Sequence, residues 1–95
     1  MNAVRVVVRG RVQGVGFRAF VVREADALGV AGEVWNRRDG GVEAEGVGPS
    51  DALRRFVAAL RRGPVHARVE QVMEQWFERE LPRGGFRISE GADRA

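Results

Sequence analysis

The chain has 95 residues, 44% of them hydrophobic, with 16 basic residues, 13 acidic residues and no cysteine. That supports one small domain around one core and excludes both a disulfide framework and a zinc-thiolate site. All 16 basic residues are arginine and the net charge is only +3, so the high isoelectric point reflects missing lysine, tyrosine and cysteine titrations, not a dense positive field.

Residues 4–10 alternate, with Val4, Val6 and Val8 on one face and Arg5, Val7 and Arg9 on the other, which predicts a strand. Residues 10–16 hold three glycines and read as a loop. From Phe17 the period changes. Phe17, Phe20, Val21, Ala25 and Leu28 share one face of a helix, opposite Arg23, Glu24 and Asp26, and Gly29 stands at its C′ position. Residues 30–36 give a second strand. Residues 37–41, Arg-Arg-Asp-Gly-Gly, give a tight turn into a third strand marked by Val42, Ala44 and Gly46. Glu43 and Glu45 fall on the alternate face of that strand and read as solvated. Pro49, Ser50 and Asp51 open a second helix with Leu53, Phe56, Val57 and Leu60 on its apolar stripe, stopped by Gly63 and Pro64. Arg54, Arg55, Arg61 and Arg62 occupy its polar side. Residues 68–76 predict a fourth strand and 86–89 a short last one. Trp35, Trp76 and Phe77 read as packing residues, and His66, the only histidine, as a surface or structural one.

The order strand, helix, strand, strand, helix, strand predicts an α+β fold of the ferredoxin-like, split βαβ kind. An antiparallel sheet of four to five strands with both helices on one face is expected. Residues 1–95 are read as one domain, with an ordered core over about 4–90 and 91–95 as a tail. No apolar run nears the ~20 residues of a membrane span, and the alternating N-terminus is no signal block. The expected location is the cytoplasm, with no membrane partner.

The chemistry concentrates in Gly10-Arg11-Val12-Gln13-Gly14-Val15-Gly16-Phe17-Arg18, a strand-to-helix junction. A helix start carries unpaired N–H groups and the positive end of the macrodipole. Gly14 and Gly16 let the preceding backbone curl so that further N–H groups converge. Arg18 adds a guanidinium fork suited to an anion's oxygens. A phosphoryl group fits such a cradle. As a glycine loop alone the segment is weak evidence, and it is neither a Walker-type loop nor a dinucleotide fingerprint.

The pattern Gly10-x-Val12-Gln13-Gly14-Val15-x-Phe17-Arg18 closely resembles the signature of the acylphosphatase family. The block Gly32-x-Val34-x-Asn36-x-x-x-Gly40-x-Val42-x-x-x-Gly46 resembles that family's second signature, and the resemblance covers nearly the whole chain. It implies an acyl-phosphate phosphohydrolase that cleaves carboxyl-phosphate anhydrides. The implied catalytic residues are Arg18, which holds the phosphate, and Asn36, which positions the attacking water. Phosphate binding is expected from Gln13, Gly14, Val15, Gly16, Phe17 and Arg18, with Gln13 leaning toward loop support and Phe17 toward the core. Two positions depart from the pattern. Glu33 stands where an aromatic residue is usual, and Trp35 where a basic one is common.

Topology supports the pairing separately. A right-handed crossover through the first helix makes the first two strands parallel, so their C-terminal ends share one edge of the sheet. Arg18 and Asn36 then face one pocket. No cluster of acidic residues and histidine suggests a metal, and no cofactor is expected. The expected partner is a small acyl phosphate, with no nucleic acid, and the expected state is a monomer. An RNA recognition motif shares this element order. It needs paired aromatics on its central strands, and here those strands carry none, while the third carries glutamates. A non-catalytic or fused acylphosphatase-like domain, or a small regulatory domain binding a carboxylate or phosphate, are the remaining alternatives.

Overall fold

The computed structural model describes residues 1–90, and the predicted tail at 91–95 lies outside them. The elements are β1 (Asn2–Arg11), α1 (Phe17–Leu28), β2 (Ala31–Asn36), β3 (Val42–Val47), α2 (Ser50–Arg62), β4 (Arg68–Glu78) and β5 (Phe86–Ile88). Every predicted element is present, and β1 and β4 are longer than expected at their ends. No helix among the described residues is long and apolar enough to cross a membrane.

The five strands lie in the order β4-β1-β3-β2-β5. β3 pairs antiparallel with both β1 and β2, so β1 and β2 run parallel on either side of it. β4 pairs antiparallel with the other edge of β1. The last pairing corrects the expected antiparallel sheet. β5 runs parallel to β2, from Gly32 beside Phe86 to Val34 beside Ile88. The reason is topological. The chain leaves β4 at one edge, crosses the end of the sheet, and returns as β5 at the opposite edge. One reversal after β4 gives β5 the direction of β2.

Side-chain alternation puts Val4, Val6 and Val8 under the helices, where they join Phe17, Phe20, Val21, Leu53, Phe56 and Leu60 in one core. Phe86 anchors β5 to that core through Phe56, ring centroids 5.6 Å apart. α1 ends as predicted, with Gly29 in a left-handed conformation and the Val30 N–H bonded to Ala25 O at 2.9 Å. α2 carries Asp51 in its first turn and Arg61 and Arg62 in its last, each opposite in sign to the adjacent dipole end.

The sheet face away from the helices departs from the sequence reading. Glu43 and Glu45 are not solvated: they are 7% and 6% exposed. Arg5 donates to Glu45 at 2.7 Å and Arg79 donates to its other oxygen, while Arg37 donates to Glu43. Long arginine stems roof the carboxylates and exclude water while their heads neutralise them. Trp76 is a second departure. Trp35 is buried, but Trp76 is 40% exposed on β4, with the Arg54 guanidinium 5.7 Å from its ring and its Nε1 donating to Glu74 at 2.9 Å. β4 is an edge strand, so the outer side of Trp76 has no neighbouring strand to bury it.

Candidate active site

β1 delivers the chain to a turn over residues 13–16 that leads straight into α1. Gly14 and Gly16 both take left-handed conformations, at φ 74° and 77°. Gly16 is the residue that caps α1, and it offers no side chain to the helix start. The first helical bond runs from the Phe20 N–H to Gly16 O at 3.1 Å. The N–H groups of Phe17, Arg18 and Ala19 therefore have no acceptor within the helix. No acidic residue sits in that first turn to offset the dipole.

A pocket of about 180 Å³ opens at this helix start, lined by Val12, Gly14, Gly16, Phe17, Arg18, Ala19, Asn36 and Ile88. Arg18 and Asn36, far apart in sequence, meet there because β1 and β2 are parallel and end on the same edge. Both side chains are half-buried. Among the described residues neither makes a side-chain hydrogen bond or ion pair. A half-buried guanidinium and a half-buried amide beside unpaired backbone donors make a surface suited to an oxygen-rich anion.

The remaining predicted residues divide. Gly14, Gly16 and Phe17 line the pocket, Phe17 as an apolar wall that is itself part of the core. The Val15 side chain packs against the core instead. The Gln13 side chain turns away to the β2–β3 hairpin, where its Nε2 donates to Arg37 O at 2.8 Å and Gly41 O at 2.9 Å. It ties the glycine turn to the loop that follows Asn36. Val12, Ala19 and Ile88 are additions to the predicted set. Ala19 is simply the next residue of the first helical turn. Ile88 reaches the pocket only because β5 docks beside β2, a placement that no local sequence signal carries.

The hairpin beyond Asn36 is densely charged. Asp39 accepts from Arg37, from Arg9 at 2.8 Å and from the Gly41 N–H at 3.0 Å. Hydrogen bonds from Arg37, then Gly41, then Arg9 hold its carboxyl well below the usual carboxylate range. Among the described residues no three His, Cys, Asp or Glu side chains converge as a metal site. Other pockets lie elsewhere on the surface, one of about 220 Å³ between α2 and β4 around Trp76, and it contains neither Arg18 nor Asn36.

A five-stranded ferredoxin-like sandwich with an open helix start, whose unpaired backbone donors suit an oxyanion, defines a small α+β protein of the ferredoxin-like class. The model of the acylphosphatase family matches residues 4–88. The acylphosphatase of Nitrobacter hamburgensis is 59% identical over 71 residues, 75% of this chain and 72% of the relative. That of Azorhizobium caulinodans is 44% identical over 88 residues, 93% of this chain and 95% of the relative. The crystal structure of acylphosphatase from Bacillus subtilis matches with a TM-score of 0.89 at 42% identity, covering 94% of this chain and 99% of that one. The chain belongs to the acylphosphatase family and is a hydrolase of that kind.

Proposed function

We propose that the chain hydrolyses acyl phosphates by direct attack of water on phosphorus, releasing a carboxylate and inorganic phosphate. The observation that carries this reading is the meeting of Arg18 and Asn36, neither with a side-chain partner among the described residues, at one helix start without a side-chain cap. The Arg18 guanidinium and the backbone N–H groups around Gly14 to Ala19 hold the non-bridging oxygens as their charge redistributes. The Asn36 amide orients the water in line with the breaking bond. A new oxygen–phosphorus bond forms, and the bond from phosphorus to the acyl oxygen breaks. The carboxylate leaves without a proton, so no strong general acid is needed. The water's proton passes to the substrate's own phosphate, consistent with a pocket whose lining, among the described residues, holds no carboxylate or histidine. The enzyme acts in this scheme as a monomer on a small molecule, without a metal.

The test is hydrolysis of benzoyl phosphate in excess chelator by wild type, Arg18→Ala and Asn36→Ala, each checked for fold by circular dichroism. Wild type turns over. Both variants stay folded, because neither side chain belongs to the core, and each loses about 10²-fold or more in rate. Absence of wild-type turnover, or its loss on chelation, overturns the scheme.

A further inference from the structure

Asn36 makes no side-chain hydrogen bond among the described residues, so the backbone that places its Cα and Cβ sets what its amide can reach. That backbone is the last residue of β2, opposite Val42, at the root of a hairpin closed by the Arg37 N–H on Gly41 O at 2.8 Å. The residue that follows, Arg37, is held on several sides. Its Nε lies 3.1 Å from both Asp39 oxygens, its Nη2 lies 2.9 Å from Asp39 Oδ2, and its Nη1 donates to Glu43 on β3 at 2.5 Å. Asp39 in turn reaches Arg9 on β1 at 2.8 Å, and Arg5 Nε lies 3.6 Å from the second Glu43 oxygen.

Arg37 therefore differs from Arg18 in kind. Its side chain is only 16% exposed, and its Nε, Nη1 and Nη2 are all engaged by carboxylates. It is not available to a phosphate. Its partner Glu43 is buried at 9% side-chain exposure, so the pair is not one of the loose surface contacts that contribute little. The arrangement spans three elements, β1, the hairpin and β3. Arg37 also lends its main-chain carbonyl to Gln13 of the glycine turn.

We propose that the ion-pair chain Arg9–Asp39–Arg37–Glu43 is a positioning device for the hydrolytic reaction. It fixes the hairpin backbone so that Asn36 meets the phosphate cradle in one orientation. The proposal rests on Asn36 orienting the attacking water. Arg37, Asp39 and Glu43 touch no substrate in this scheme and act through Asn36.

The test is a set of folded variants assayed with benzoyl phosphate, with inhibition by inorganic phosphate as a separate readout of the Arg18 cradle. Arg37→Ala and Asp39→Asn should lower kcat by about ten- to a hundredfold, the scale of a misplaced reacting group. KM and the inorganic-phosphate inhibition constant should move by less than about threefold, since the cradle lies on the other loop and meets the hairpin through Gln13 on the main-chain carbonyls of Arg37 and Gly41, groups that these side-chain changes retain. Arg37→Lys should recover melting temperature without recovering kcat, because an ammonium cannot bridge both carboxylates as a planar fork does. In an Asn36→Ala background, Arg37→Ala should add no further loss, since both changes remove the same contribution. Independent, multiplying losses overturn the clamp, as does wild-type kcat in Arg37→Ala and Asp39→Asn beside a crippled Asn36→Ala. Wild-type kcat in Asn36→Ala itself overturns the water-orienting role, and the clamp with it. Asp39→Asn is close to isosteric, so the question is answered even if Arg37→Ala does not fold.

Discussion

Two arginines in this chain have nearly opposite circumstances. Arg18 stands half-buried beside uncapped N–H groups with no carboxylate on it among the described residues, and Arg37 is saturated by Asp39 and Glu43. An unpaired guanidinium in a partly desolvated pocket is held ready for an incoming anion, because no ion pair has to be broken first. This leads to a sharper expectation than loss of charge. Arg18→Lys keeps the charge and loses the planar fork, so kcat/KM should fall by about 10²-fold, close to the loss in Arg18→Ala. Steady-state kinetics on the two variants side by side checks this. Near-complete rescue by lysine would show that the field matters and the fork does not. The residue scale is also where the sequence spoke most clearly. Arg18, Asn36 and the glycines could be named from spacing and resemblance. The partners of Glu43 and Glu45 could not, because Arg5, Arg37 and Arg79 come from three separate segments, and only the sheet register brings them over those carboxylates.

At the scale of elements, glycines serve two different needs, and substitution should separate them. At Gly16, φ is 77° and an added Cβ would meet nothing within 4 Å. Alanine there meets only the left-handed conformational cost, about 1–2 kcal/mol. At Gly32, φ is 139° and an added Cβ would lie 1.9 Å from the main-chain oxygen of Glu45, so β2 and β3 would have to part. Chemical denaturation should find Gly32→Ala far more destabilised than Gly16→Ala. Gly16→Ala should instead show its main effect in turnover, since it reshapes the turn that presents the helix start. Equal loss of stability in the two would contradict this division. Element identity was readable because the hydrophobic period changes at Phe17, Gly29 and Pro49. The direction of β5 was not, because three residues carry no information about which edge they join.

For the molecule as a whole, the arginine–carboxylate roof on the open sheet face links stability to pH. Burial alone would raise the Glu45 carboxyl, but hydrogen bonds from Arg5 and Arg79 outweigh it and hold it below its ordinary range. Glu74 is lowered too, by hydrogen bonds from Arg61 and then Trp76, and Asp39 more strongly. Each of these groups has a folded pKa below its unfolded one. Its contribution is therefore fully present above the unfolded value and is lost as pH falls through the carboxylate range toward the folded value. The melting temperature should hold steady at neutral pH and decline below about pH 4, where unfolded carboxylates begin to bind protons. Glu45→Gln should lower the neutral melting temperature and flatten that decline. A mutant profile parallel to wild type would mean that Glu45 carries none of the acid sensitivity. A domain of this size has little stability in reserve, so the effect should be plain in a thermal scan.

By itself the sequence determined the element order, the helix faces, the ferredoxin-like class and the two segments whose residues line the candidate pocket. All of these rest on local period, on glycines whose neighbours are adjacent in the chain, and on motif spacing. Parallel β1 and β2 followed from the handedness of a single crossover, a rule strong enough to place Arg18 and Asn36 at one edge in advance. Tertiary structure alone decided the rest. It set β5 beside β2 and so put Ile88 at the pocket, and it turned the Gln13 side chain onto the hairpin backbone. It also buried Glu43 and Glu45 on a face that alternation marked as wet. The physical reason is the same in each case. A side chain's partners across a sheet are set by register and strand order, which are properties of pairs of segments, whereas period and spacing belong to one segment at a time.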